Sequence, residues 1–214
     1  MMHPRWITAS LALAALVVYF GVSAPPPLPE AKAVTGPAVP VKVLFEVLAA
    51  ENAAARSTYN AEVVGPGIER GLRFSEEWKD GGVEAGPLPA VLLREVSTRL
   101  QRSAAEVGLF LGSDFPISPV NKFTGEQDGH SQTMKANKAP AYFFEPQTKM
   151  YTAMYLDPAG APGCVKCHNE HPQSPKLDWK LNDPMGATTW LYPRAEVSVQ
   201  EDRKSTRLNS SHIP

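Results

Sequence analysis

The chain has 214 residues, 43% of them hydrophobic, and a formal net charge of −1. This length is enough for one domain with a buried core plus additional terminal segments. The near-neutral charge argues against a nucleic-acid-binding protein, which normally carries a basic domain or stripe.

Residues 1–24 have the pattern of an export signal, either a cleaved signal peptide or an N-terminal membrane anchor. Arg5 provides a positive flank, and an apolar run follows from Trp6 to Val22. The run is close to the roughly 17–25 residues that span a bilayer, and Pro25 hinders cleavage after Ala24, so an anchor is favoured. The flanking charge places the rest of the chain outside the cytoplasm. Residues 25–40 are proline-rich and predict an extended spacer.

Residues 41–201 read as one domain that begins with helices. We predict a long helix over 41–64, a short helical piece over 67–80 and an amphipathic helix over 89–107, with Pro89 in its first turn. The first helix shows apolar residues at helical spacing, namely Val41, Leu44, Phe45 and Leu48.

Extended segments follow these helices. A strand is predicted within 108–119, a β-hairpin is predicted with strands at 142–144 and 150–156, and a last strand begins at Gly186. His130 falls in the polar stretch "TGEQDGHSQ", which reads as a solvated loop. Helices followed by antiparallel strands predict an α+β fold.

A proline- and glycine-rich loop between the hairpin and the last strand carries both cysteines, Cys164 and Cys167, with His168 directly behind them. A zinc site is disfavoured because only His171 adds a fourth close ligand, and adjacent Cys167 and His168 do not chelate one ion easily. A redox dithiol is disfavoured because the segment shows no helix opening after a strand. A disulfide across two residues closes a small loop and gives little stabilisation.

Cys-X-X-Cys-His is the attachment pattern of haem c. Two thiols three positions apart form thioethers with the two haem vinyl groups, and the following histidine is placed to bind the iron. The export signal and the absence of other cysteines fit this chemistry. We therefore predict one covalently attached haem c, held by Cys164, Cys167 and His168, on the periplasmic side of a bacterial inner membrane.

The ligand opposite His168 stays open at this point. The candidates are Met154, Met150 and His130, followed by Met134, Met185 and His171, and an open sixth position is a further alternative. Aromatic residues that would wall a haem pocket are Tyr142, Phe143, Phe144, Tyr151, Tyr155, Trp179 and Trp190. Cations that would pair with the haem propionates are Lys176, Lys180 and Arg194.

The segments "CVKCHNEHPQSPKLDWKLNDPMGATTW", "GLFLGSDFPISPVNKFT" and "YTAMYLD" together resemble the bacterial single-haem c-type sensor domains with a PAS-like fold. The resemblance covers about residues 40–193. It implies a five- or six-stranded antiparallel sheet, helices on the N-terminal side and a haem-bearing loop against the sheet. Some members use a cysteine of an N-terminal helix as the other iron ligand, whereas residues 44–60 of this chain contain no Cys, Met or His.

The favoured function is a membrane-tethered periplasmic sensor of redox state or of a diatomic ligand. The alternative is a monohaem cytochrome that transfers electrons between periplasmic partners, which requires a six-coordinate iron. A peroxidase-like enzyme is a third interpretation without a residue set to support it. A homodimer is among the partners left open.

The C-terminal stretch "DRKSTRLNSSH" matches the translation of a common short-read sequencing adapter. We therefore interpret residues 202–214 as an artefact and exclude them from the fold. An output domain after Glu201 remains an open alternative.

Overall fold

The computed structural model describes residues 37–198, and the predicted anchor, most of the spacer and the adapter-like tail lie outside this range. The helices are α1 (Val41–Thr58), α2 (Gly65–Glu69), α3 (Pro89–Gln101), α4 (Glu126–Asn137) and α5 (Pro162–Glu170). The strands are β1 (Ala38–Pro40), β2 (Phe74–Ser75), β3 (Gly86–Pro87), β4 (Gly108–Gly112), β5 (Ala141–Glu145), β6 (Met150–Pro158), β7 (Pro184–Tyr192) and β8 (Glu196–Ser198).

Within residues 37–198, no helix is long and apolar enough to cross a membrane.

The central sheet has four strands in the order β4-β7-β6-β5, and every neighbouring pair is antiparallel. The predicted α+β class is confirmed. The five or six strands that the resemblance implied are too many, because the remaining short strands pair separately as β1–β8 and β2–β3. A register shift between Asp157 and Pro158 ends the regular pairing of β6 with β7.

The sheet is covered on both faces. One face packs against α1, where Phe45 meets Ala153, Trp190 and Leu109 in one buried cluster. The other face packs against α4, and its buried cluster consists of Phe123, Met134, Met154 and Ala187. Successive side chains of a strand point to opposite faces, so β6 contributes Ala153 to the first cluster and Met154 to the second.

The hairpin and the strand from Gly108 are confirmed, with β5 and β6 extending slightly beyond their predicted ends. The long first helix is also confirmed, but its predicted end before Gly65 is wrong. A π-helical turn over Tyr59–Val64 carries the backbone directly into α2. The wider turn places Pro66 in the first turn of α2, where a residue without an N–H is tolerated.

Two further expectations are corrected. The third helix ends at Gln101 and not near Gly108, because the hydroxyl of Ser103 bonds the Leu100 carbonyl at 2.7 Å and competes with the helical pattern. The polar stretch around His130 is α4 and not a loop. Its N-terminus is stabilised by acidic residues in the first turn and by the Glu145 carboxylate, which accepts from the Glu126 amide at 3.3 Å.

Candidate functional site

The Cys-X-X-Cys-His motif lies in the connection between β6 and β7, as the sequence predicted. We call residues 160–182 the insert. Two backbone hydrogen bonds close its base: the Ala159 amide donates to the Asp183 carbonyl at 2.9 Å, and the Asn182 amide donates to the Ala159 carbonyl at 3.0 Å. The expectation that the motif sits in an irregular loop is wrong, because it forms α5. Pro162 is compatible with the first turn, and the Ala161 carbonyl accepts from Cys164 at 3.0 Å.

The helix places the three motif side chains on one face. Cys164, Cys167 and His168 stand at positions i, i+3 and i+4, which are neighbours on a helix surface. Both thiols are free and half-buried, and no residue of α5 is fully buried. The motif side chains are therefore partly covered, and the exposed positions of α5 are Pro162, Gly163, Lys166 and Glu170.

His168 has a poorly solvated imidazole. Its Nδ1 is buried and has no hydrogen-bond partner. Burial lowers the pKa of His168, and the nearby negative charges of Glu76 and Asp157 only partly oppose this effect. The side chain is therefore neutral at neutral pH, which is the form that binds a metal ion.

The absence of a helix after a strand was the sequence argument against a redox dithiol, and it no longer holds, because α5 follows β6. Two other observations argue against a redox dithiol. The strands on either side of α5 are antiparallel neighbours and do not form a parallel βαβ crossover. Burial also raises the pKa of the Cys167 thiol, with a further contribution from Glu76, whereas reactive dithiols have lowered values.

Arg56 and Asn52 lie on the buried side of α1 and were missed by the sequence interpretation. Arg56 pairs with Asp157 at 2.9 Å, and its Nε is buried without a hydrogen-bond partner. Asp157 is the next-to-last residue of β6, so this ion pair lies at the end of the sheet that carries the insert. The available signal was a lone arginine in an alanine-rich helix, four positions after a buried asparagine.

Asn169 also escaped the sequence interpretation. Its side-chain amide donates to the Trp179 carbonyl at 3.0 Å and accepts from the Trp179 amide at 2.9 Å. Trp179 is 5% exposed, and its indole Nε1 is buried without a partner. Five buried side-chain atoms within residues 37–198 have no hydrogen-bond partner, and two of them belong to His168 and Trp179 of the insert. A third is the Nε of Arg56, the partner of Asp157.

The structure places the predicted distal ligands at a distance from α5. Met154 and Met134 are fully buried in the cluster beside α4, on the opposite face of the sheet from Asp157. Met150 starts β6, roughly 23 Å along the strand from Asp157. His130 stacks on Phe143, with ring centroids 4.0 Å apart.

Two other candidates lie nearer to α5. Met185 follows the first residue of β7, at the β-bulge that faces the base of the insert. His171 ends α5, and its Nδ1 accepts from the Gln173 amide at 3.1 Å.

The predicted cations and aromatic residues divide between two regions. Arg194 lies beyond the far end of β7, where it pairs with Glu106 and donates to Tyr192 at 2.7 Å. Lys176 and Lys180 are in the insert, and Lys176 pairs with Asp178. Trp179 is the one predicted aromatic residue in the insert, whereas the other six are in the sheet.

Among the described residues, no three His, Cys, Asp or Glu side chains converge into a group able to hold a metal ion. The motif itself provides two thiols and one imidazole on one face of α5.

A family model, described as Tll0287-like, matches residues 41–193. The match covers most of the chain, so the chain belongs to the Tll0287-like family. Neither the curated proteins nor the solved structures contain a significant match to this sequence.

Proposed function

We propose that this domain binds one haem c covalently through Cys164 and Cys167, with His168 as a ligand of the iron. We further propose that it acts at the periplasmic side of the inner membrane, tethered by residues 1–24, as a sensor of redox state or of a diatomic ligand. The observation that carries the proposal is the placement of two free thiols and one neutral imidazole on a single face of α5. When bound, a haem supplies a one-electron redox couple and a coordination position on iron.

The donor set fits this group. Covalent attachment needs two reduced, accessible thiols, and both cysteines are free and half-buried. Binding to iron needs an uncharged imidazole, and burial lowers the pKa of His168. The orphaned polar atoms of Arg56, His168 and Trp179 indicate that the surroundings of α5 contain donors without protein partners. Such donors are costly to bury unless a further group meets them.

The positions of the candidate second ligands support a sensor more than an electron carrier. An electron carrier needs a second protein ligand, but Met154, Met150 and His130 are all engaged elsewhere in the fold. Met185 is the methionine placed at the end of the sheet that carries the insert. A position without a strong protein ligand is the one that an external diatomic molecule can occupy.

The attachment is tested by producing the full chain in bacteria that export it and carry out haem c maturation. We expect a red protein that keeps its haem after denaturation, and loss of that haem in Cys164→Ser/Cys167→Ser. The matched control is Lys166→Ala, because Lys166 is exposed on the same helix between the two cysteines. A double serine variant that retains covalent haem would overturn the proposal.

The sensing function is tested by the absorption spectrum of the reduced protein with and without carbon monoxide. A shifted spectrum is expected for an accessible iron. A spectrum unchanged by carbon monoxide in the wild type but shifted in Met185→Leu would assign Met185 as the sixth ligand and favour electron transfer.

A further inference from the structure

Asn169 connects α5 to the second half of the insert through side-chain hydrogen bonds. Its side-chain amide has the same donor and acceptor geometry as a peptide group, and it uses both on Trp179, at 3.0 and 2.9 Å. Trp179 stands ten residues further along, in a stretch without helix or strand. Among the backbone bonds of the described insert, the one that links α5 to a residue after it runs from the His171 amide to the Cys167 carbonyl at 2.9 Å, directly at the end of the helix. Asn169 is therefore the side chain that ties the helix to Trp179.

Trp179 in turn contacts the segment that follows β4. Its ring meets Phe115 in a T-shaped arrangement with centroids 6.2 Å apart. Aromatic pairs in this geometry contribute an attraction in addition to the hydrophobic stabilisation that their buried area provides. Trp179 is 5% exposed, whereas Phe115 is 42% exposed, so the contact lies where the insert meets the rest of the domain.

Asp114 anchors the backbone of Phe115 to α4. Its buried carboxylate accepts from Ser131 at 2.8 Å and from Gln132 at 3.1 Å, and it forms an ion pair with Lys135. These three residues are all in α4. The Lys135 ammonium also lies 5.9 Å from the centre of the Phe115 ring. The contacts therefore form one continuous series from α5 through Trp179 and Phe115 to α4.

We propose that Asn169 is a positioning residue for His168, and that the series Asn169–Trp179–Phe115–Asp114 couples the orientation of α5 to α4. His168 and Asn169 are adjacent on one short helix, so a rotation of α5 that moves the imidazole also moves the two bonds to Trp179. The role given to His168 rests on the proposed function. The coupling between α5 and α4 is a property of the polypeptide and can be measured without haem.

The first experiment is hydrogen–deuterium exchange on the full chain carrying Cys164→Ser/Cys167→Ser, with and without Asn169→Ala. We expect the Trp179 amide and the amides of α5 to exchange at least about tenfold faster in the alanine variant. The matched control is Glu170→Ala, which removes an exposed side chain from the next position of the same helix. The positioning role would be overturned if the exchange rates of α5 and Trp179 in Asn169→Ala stayed within about twofold of those in the protein that retains Asn169.

The second experiment tests the coupling through a double-mutant cycle with Phe115→Ala. We expect Asn169→Ala to speed exchange in α4 by about threefold or more in the parent, and to have no such effect once Phe115 is removed. The coupling would be overturned if Asn169→Ala left the exchange rates of α4 unchanged. It would also be overturned if Asn169→Ala changed those rates equally with and without the Phe115 side chain.

In the haem-loaded protein, Asn169→Ala should shift the reduction midpoint potential, whereas Gln173→Ala, which removes an exposed uncharged amide from the insert, should not. A potential identical in both variants and the wild type would contradict the positioning of His168. If no haem is attached at all, the proposed function fails, while the exchange experiments still decide the coupling.

Discussion

The sheet and the insert are held together by different interactions. In the sheet, Ala153, Met154 and Thr189 are completely buried, and Trp190 is 2% exposed. In the insert, α5 has no fully buried residue, and bonds between side chains and backbone take the place of a core. Burial of apolar surface tolerates small changes of geometry, whereas such polar bonds require specific partners. The sheet is therefore stabilised mainly by its apolar core, whereas the insert is ordered by a few directional contacts.

The largest loss of stability is expected for a substitution in the sheet. Trp190→Ala should lower the free energy of unfolding by about 3–5 kcal/mol, because it removes a buried aromatic side chain and leaves a cavity between the sheet and α1. Urea unfolding followed by circular dichroism measures this loss.

Trp190→Phe is the matched control. The indole Nε1 of Trp190 is buried without a partner, so replacing the indole by a phenyl ring removes an unsatisfied donor along with some volume. We expect a loss well below that of the alanine variant. In the insert, Leu177→Ala should change stability by less than about 0.5 kcal/mol, since Leu177 is 61% exposed. Equal losses at Trp190 and Leu177 would contradict the contrast between the two regions.

An intermediate effect is expected at Asp114, whose polar network faces both regions. Asp114→Asn should cost about 2–3 kcal/mol, because it leaves Lys135 partly buried without its ion-pair partner. The same urea titration measures the loss.

The pH dependence of this loss identifies its cause. Burial of Asp114 opposes ionisation, but the bonds from Lys135 and Ser131 outweigh it and hold the pKa of Asp114 below its ordinary value. The carboxylate therefore stabilises the fold above the unfolded pKa of about 4, and this contribution is lost as the pH falls below that value. The stability difference between wild type and Asp114→Asn should shrink on acidification. A constant difference between pH 7 and pH 3 would show that the charge of Asp114 is not responsible.

Apart from the Leu177 control, the smallest loss of stability is expected at Asn182, at the base of the insert. Asn182 has a φ of 68°, a left-handed conformation that a β-branched residue strongly disfavours. Asn182→Val should cost about 1–2 kcal/mol, whereas Asn182→Gly should cost much less, because glycine adopts this conformation freely. Limited proteolysis should cut the insert of the valine variant first and leave the sheet intact. Simultaneous loss of both regions would show that they unfold as one unit.

The sequence was sufficient to predict the parts of the fold that repeat a pattern. Runs of apolar and aromatic residues in β4, β5 and β6 and the helical spacing of Val41, Phe45 and Leu48 predicted these elements correctly. The helix α4 was missed because its sequence is polar and contains Gly129, and its order depends on distant partners, namely Glu145 at its start and Asp114 along its side. Contacts between residues far apart in the chain leave no local pattern.

The candidate site also has a part that could be predicted from the sequence and a part that could not. The spacing of Cys164, Cys167 and His168 was readable because it is short and chemically distinctive. The helical form of the motif was not readable, since Pro162 and Gly163 are residues typical of loops. Arg56 and Asn169 were missed because their partners, Asp157 and Trp179, are defined only by the folded chain.

The two backbone bonds at Ala159 join the first and last residues around the insert, so its ends are only a turn apart. A segment whose ends meet in this way can be exchanged as a cassette, because the sheet requires only that β6 and β7 stay connected. Loop-closure entropy changes slowly with length, so a longer, shorter or differently sequenced cassette would cost the scaffold little. Grafting residues 160–182 onto another antiparallel hairpin would therefore transfer the motif and the bonds between Asn169 and Trp179, but it would lose the contact of Trp179 with Phe115.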